Sequence, residues 1–179
     1  MHDMQTARGA PLNSSGDTDT HRSSYVRLFF FVAISVWVID QATKALAVSR
    51  LDGRDAIDLI PHVFSLSLTR NAGAAFSMAT GMTAILSAVA IVVCVFVIRA
   101  ASRLKDKGWA IGLGLLLGGA IGNLTDRIFR EPAPFKGHVV DFLYINHYPV
   151  FNFADVALTF AAIVVFWRTW RGVGIDGKR

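Results

Sequence analysis

Apolar residues fall into four long runs separated by polar stretches. Leu28 to Val48 carries two charges, Asp40 and Lys44, and Met78 to Ile98 carries none. Gly108 to Thr125 is also uncharged and ends at Asp126-Arg127; Phe153 to Trp170 has Asp155 near one end and Arg168 near the other. The hydrocarbon core of a bilayer takes about 20 apolar residues as helix, with a working range of about 17–25. The pattern therefore predicts transmembrane helices over about 28–48, 78–98, 108–126 and 153–170. The first run has a competing reading. Arg22 and Arg27, an apolar stretch and Ala45-Leu46-Ala47 resemble a cleavable secretory signal, but Asp40 and Lys44 interrupt that match.

The segments between the runs are of different kinds. Residues 1–24 are rich in Ser, Thr, Gly and Asp and read as a disordered tail. Residues 99–107 form a short basic turn, and 172–179 a second tail. The loop 49–77 contains Phe64-Ser65-Leu66-Ser67-Leu68-Thr69, the alternation of a half-buried strand, with turns at Asp52-Gly53 and Pro61. Such a strand lies flat on lipid or covers a cleft. In 128–152, His138-Val139-Val140-Asp141-Phe142 reads as a second extended piece. The expected fold class is an all-α membrane protein of four helices, with a small extracytoplasmic β element from the two outer loops. The membrane domain spans 25–171.

Composition agrees with this reading. Hydrophobic residues make up 53% of the 179, and only 17% are charged, against about 25% in soluble domains. One Cys excludes a disulfide scaffold. The net charge of +5 is mostly an orientation signal. With both termini in the cytoplasm, the inside segments hold 11 bases against five acids, and everything else holds seven against eight. No basic face with aromatic platforms suggests a nucleic-acid partner.

In such a chain the polar residues at membrane depth are the informative ones, because each charge there costs roughly 2.5–3.5 kcal/mol on insertion scales. They are Asp40, Lys44, Asn71, Asn123, Asp126, Arg127, Asp141, Asn152 and Asp155, all toward the outer face. Asp40 and Lys44 are four apart and share a helix face, so an internal ion pair explains them; orienting other groups of a site is the other reading. Asp126 ends the third helix and Asp155 begins the fourth, so consecutive antiparallel helices bring them to one membrane surface. Asn152 is placed to cap the fourth helix, and the helix dipole then favours an ionised Asp155. Asp126 sits at a helix C-terminus, where dipole and desolvation both disfavour charge, unless Arg127 turns inward. Environments that push two carboxyl pKa values apart make an acid and a base. Taken singly, each acid has a structural explanation: a helix start for Asp155, an interfacial ion pair for Asp126. Asp141, between Val140 and Phe142, is a competing partner for Asp126, either a buried structural carboxylate or the second acid.

Other chemistries are weaker. No Ser lies in a Gly-x-Ser-x-Gly elbow, and Cys94 has no nearby base. His62, His138 and His147 lack a metal-site spacing, so neither a metal nor a cofactor is expected. The glycines of 112–122 suit close helix packing.

Five motifs stand in order on these spans. They are Asp40-Gln41-Ala42-Thr43-Lys44, Asn71-Ala72-Gly73-Ala74-Ala75-Phe76, Gly122-Asn123-Leu124-Thr125-Asp126-Arg127, Val139-Val140-Asp141-Phe142 and Phe151-Asn152-Phe153-Ala154-Asp155. Over residues 27–170 this set resembles the bacterial lipoprotein signal peptidase (signal peptidase II) family. The resemblance implies a membrane-embedded aspartyl endopeptidase of the bacterial cytoplasmic membrane. It would remove signal peptides from diacylglyceryl-modified prolipoproteins, cutting before the lipidated Cys. It implies Asp126 and Asp155 as the catalytic pair, with Asp40, Lys44, Asn71, Gly73, Asn123, Arg127, Asp141, Asn152 and Ala154 lining the site. It also implies no cofactor, a lipid-modified prolipoprotein and membrane lipid as partners, and sensitivity to globomycin-type inhibitors; a monomer is expected. Glu131–Lys136 is longer than the usual link, and the first 24 residues are extra. The alternatives are a small proton-coupled membrane carrier and a non-catalytic scaffold. Clustering of the acids at one face, and the lack of an inverted repeat, argue against the carrier.

Overall fold

A computed structural model describes the backbone of residues 15–73 and 82–179 and the side chains of 24–73 and 83–179. Its elements are helix α1 (Ser15–Leu51), strands β1 (Ile57–Ile60) and β2 (Phe64–Asn71), helices α2 (Met82–Ala101) and α3 (Lys107–Phe129), strand β3 (Val139–Ile145) and helix α4 (Phe153–Trp170). All four helices are long and apolar enough to cross a membrane. The described part of α1 begins at Ser15, ahead of the expected span and inside the segment expected to be a disordered tail. Residues 74–81, which hold the end of the second motif and the start of the second predicted span, lie outside the described residues.

α1 shows how the bundle is organised. Its buried residues are Phe29, Ala33, Val36, Asp40, Lys44, Ala47 and Leu51. Steps of three and four make one stripe along a helix. The charged pair therefore lies on the same face as the apolar residues, turned into the protein. The other face carries Phe31, Ile34, Val38 and Leu46, all exposed. Exposed apolar side chains around a bundle of this length face lipid.

α3 is the central helix, and its glycines let its neighbours approach. A Cβ at Gly114 would lie 2.8 Å from the Phe29 carbonyl oxygen, and one at Gly118 would lie 2.7 Å from that of Ala33, both on α1. At Gly119 it would lie 2.8 Å from the Ala154 oxygen on α4. Without side chains there, α3 packs backbone-close to α1 and α4.

The strands form one antiparallel sheet in the order β1-β2-β3. β2 carries the alternating segment. Leu66 and Leu68 pack against the cluster of Ala47, Leu51, Val140 and Phe142. This apolar face fastens the sheet to the end of α1, and Leu66 borders a cleft there with Ala47, Leu51 and Phe142. A bulge between Leu66 and Thr69 interrupts the pairing with β3, and beyond it Thr69 faces Asp141 and Asn71 faces Val139. β1 was not foreseen; its four residues are exposed and show no alternation. At the opposite end of the bundle, 172–179 does not trail away. Lys105 N donates to the Ile175 oxygen at 3.0 Å, and Trp109 Nε1 donates to that of Val173 at 2.8 Å.

Candidate active site

The polar residues singled out from the sequence meet at one end of the bundle, where α1, α3, α4, β2 and β3 converge. They divide into two connected groups.

The first group is built around Lys44. Its Nζ lies 2.8 Å from Asp40 Oδ2 and 2.9 Å from Asp126 Oδ2, and donates to Asn123 Oδ1 at 3.0 Å. All three charged side chains are buried. A buried ammonium is tolerable only with its charge matched and its protons bonded, and here two carboxylates and an amide do this. Asp40 Oδ1 also accepts from Ala154 N at 2.9 Å, which ties α1 to the first turn of α4. A Cβ at Gly122 would lie 2.6 Å from Asp40 Oδ2, so this position on α3 must be glycine for the pair to fit.

Asp126 belongs to this group. Arg130 Nε donates to its Oδ1 at 2.7 Å, and Val140 N donates to its Oδ2 at 3.1 Å. The expectation of a carboxyl kept neutral by burial and its helix C-terminus meets a different setting. Two cations and a backbone amide hold its oxygens. Arg130, not Arg127, supplies the guanidinium bonded to Asp126. Its spacing of four from Asp126 on one helix was a usable signal, since such pairs face each other. Gln41 was also missed; its Nε2 donates to the Gly122 oxygen and to Asp40 Oδ2, both at 3.1 Å.

The second group is built around Asn152. It caps α4: its Oδ1 accepts from Asp155 N at 3.0 Å, and its own N donates to Asp155 Oδ2 at 3.2 Å. Its Nδ2 donates to Asp141 Oδ1 at 2.6 Å and to Asn123 Oδ1 at 3.1 Å. One asparagine thus bonds both Asp141 and Asp155. Asn123 Nδ2 donates to Asp155 Oδ1 at 2.8 Å, and Asn71 Nδ2 to Asp141 Oδ2 at 2.9 Å. The two carboxylates are held by neutral amides, and among the described residues no ammonium or guanidinium is bonded to either. Burial pushes the Asp141 carboxyl up to about 6; the negative charge of Asp155 adds to this, while the bonds from Asn71 and Asn152 and the charge of Lys44 oppose it.

Two further residues complete the surroundings. Arg127 lies within electrostatic reach of Asp155, Asp141 and Asp126, and its Nε is buried with no hydrogen-bond partner. Gly73 has φ +105°, and a Cβ there would lie 2.9 Å from Leu86 Cδ1; its N donates to Asn71 Oδ1 at 2.8 Å, which orients that amide toward Asp141. Asp155 is half-buried and borders an apolar cleft of about 530 Å³ whose walls include Ile145, Tyr148, Phe151 and Phe160. Among the described residues, no three His, Cys, Asp or Glu side chains are grouped to hold a metal ion.

This arrangement can be compared with known proteins. A lipoprotein signal peptidase of Rhodococcus jostii (strain RHA1) is 47% identical over 152 residues, covering 85% of this chain and 77% of its own length. One of Mycobacterium avium (strain 104) is 46% identical over 156 residues, 86% of each. A bacterial membrane enzyme solved by the in meso method at 1.9 Å superposes with a TM-score of 0.70 at 26% identity, covering 79% of this chain and 91% of that one. The family model for signal peptidase (SPase) II matches residues 32–171, which takes in all four spans and both polar groups, and the chain belongs to that family.

Proposed function

We propose that this signal peptidase II cuts the signal peptide from lipid-modified prolipoproteins with Asp141 and Asp155 as its catalytic carboxylates, and that Asp126 is a structural anchor. The carrying observation is the bonding of the three acids. Asp126 is claimed by Lys44 and Arg130. Asp141 and Asp155 share Asn152 and have no bonded cation among the described residues, and Asp155 borders the cleft. The sequence alone pairs Asp126 with Asp155, with Asp141 as the alternative partner for Asp126; the bonding supports a pair that leaves Asp126 out.

The mechanism follows from the two settings. Asp155 opens α4 and borders the cleft, so it is the base that takes a proton from water there. Asp141, whose burial favours the proton, hydrogen-bonds the scissile carbonyl and later protonates the leaving amine. Because the two interact, one proton belongs to the pair. Arg127, whose Nε is buried without a hydrogen-bond partner among the described residues, lies beside them as a neighbouring positive charge. This chemistry asks for no metal or cofactor.

The finer expectations extend the same reading. The excess of Lys and Arg at the end holding the 99–107 turn supports cytoplasmic termini, with the carboxylates near the outer leaflet. The signal helix enters laterally from lipid, and cleavage falls before the lipidated Cys. Globomycin-type peptides compete for this cleft, and the enzyme acts as a monomer. A carrier finds no support in relatives that are named peptidases.

The test is cleavage of a lipidated precursor in detergent by wild type, Asp141→Asn, Asp155→Asn and Asp126→Asn. Loss of turnover in the first two variants, with wild-type melting, supports the pair. A fully active Asp141→Asn, beside a folded but dead Asp126→Asn, would return Asp126 to the catalytic role.

A further inference from the structure

A second cavity lies at the far end of the bundle. The end of α2, the turn after it and Ile175 of the C-terminal segment line an open cavity of about 640 Å³, with Phe96, Arg99, Ala100, Ser102 and Arg103 as its other walls. From Lys107 to Asp126 along α3 the rise is about 28 Å at about 1.5 Å per residue, close to the hydrocarbon thickness of a bilayer. The cavity therefore lies at the headgroup level of the leaflet opposite the carboxylates.

We propose that this cavity binds the phosphodiester headgroup of an anionic glycerophospholipid from that leaflet. Neither arginine forms an ion pair with an acid among the described residues. The acids nearby are engaged elsewhere: Asp106 pairs with Arg168, and Asp176 lies 3.9 Å from Lys178. Two guanidinium groups beside one cavity suit a phosphate, since their planar forks bind its oxygens in pairs. The floor decides for a lipid. Phe96, one turn before Arg99, is 70% exposed on the lipid side of α2 and offers an apolar track for an acyl chain leaving the headgroup. Ile175 closes the opposite wall, fixed by the bond from Lys105 N to its oxygen at 3.0 Å. Basic pockets beside membrane helices hold anionic headgroups by this combination of charge and hydrocarbon contact. The proposal is independent of the catalytic assignment, because no residue is shared.

The experiment measures lipid retention by the full chain. Protein is taken from bilayer discs of phosphatidylcholine and phosphatidylglycerol into neutral detergent, and bound lipid is counted by native mass spectrometry. Wild type is expected to keep phosphatidylglycerol at least about fivefold over phosphatidylcholine, and the double variant R99Q/R103Q to lose that preference. The variant R171Q/R179Q removes the same charge outside the cavity and is expected to keep it. An equal loss in that control would overturn the proposal in favour of diffuse attraction. Displacement of the lipid by millimolar inorganic phosphate would also overturn it, making phosphate alone the ligand. Melting temperature and precursor cleavage in neutral detergent report whether R99Q/R103Q is folded; if it is not, R103Q alone is read the same way, with a halved preference expected and an unchanged one counting against the site.

Discussion

Lys44 Nζ lies 2.9 Å from Asp126 Oδ2, and this contact joins the first span to the third. With Asp40 also at 2.8 Å, one ammonium bridges two buried carboxylates, and Arg130 supplies the second positive charge. Lys44→Met would leave Asp40 without a counter-ion and Asp126 with Arg130 alone. Breaking a buried pair in this way costs about 3–5 kcal/mol. Thermal unfolding in detergent should show a large drop in melting temperature for Lys44→Met. An unchanged melting temperature would mean that the cluster contributes nothing to folding.

Asp141 makes a prediction about pH. Its carboxyl is raised to about 6 in the folded protein from an ordinary value of 3.8. The folded state then holds this proton more tightly than the unfolded chain. Stability from this group is present below pH 4, declines as pH rises, and is gone above about pH 6, a total of about 3 kcal/mol. Asp141→Asn lacks this titration. The stability difference between wild type and Asp141→Asn should therefore shift in favour of the variant between pH 4 and pH 7, measured by denaturant titration at each pH. A difference flat across that range would show an ordinary surface-like carboxyl. If Asp141 must carry the proton, cleavage should also weaken on the alkaline side of about pH 6, unless bound substrate raises the group further.

The helices and their lipid-facing residues were legible because membrane burial demands long apolar runs, and those runs are contiguous in sequence. The set of site residues was legible for a related reason: a polar group at that depth needs a partner, so Asp40, Lys44, Asn123, Asp126, Asn152 and Asp155 were conspicuous. Their pairing was less visible. Whether Asp126 meets Asp155 or Lys44 depends on the rotation of α3 against α1, which is set by close contacts at Gly114, Gly118 and Gly122. Asp141 is in a strand whose register follows from a bulge in β2, and no local pattern marks that bulge. β1 is short, exposed and without alternation, so it carries no periodic signal.

Gly122 tests the close packing on the page. An added methyl would lie 2.6 Å from Asp40 Oδ2 and 3.2 Å from Ala154 Cβ, wedging α3 away from α1 and α4. Overpacking of this kind costs about 1–3 kcal/mol. Gly122→Ala should melt lower and cleave more slowly, because the Asp40 bond to Ala154 N positions the start of α4. Gly172→Ala is a useful comparison. Nothing lies within 4 Å of its added methyl, so only its positive φ of 66° is penalised, and cleavage should be spared. Equal losses in both would remove the packing argument.

Asn152 separates capping from catalysis, because different atoms perform the two tasks. Its Oδ1 caps α4 and its Nδ2 holds Asp141. Asn152→Ser keeps a capping oxygen but has no amide to reach Asp141, whereas Asn152→Ala loses both. Removing a cap costs about 1 kcal/mol. Asn152→Ser should therefore melt close to wild type and above Asn152→Ala. Yet both should lose turnover, with kcat falling more than KM rises, since the amide orients a reacting group and does not bind substrate. The pH profile of Asn152→Ser should move its alkaline limb upward, because a hydrogen bond that favours the charged form of Asp141 is gone. A serine variant with wild-type kcat and an unmoved profile would reduce Asn152 to a helix cap and remove the main support for pairing Asp141 with Asp155.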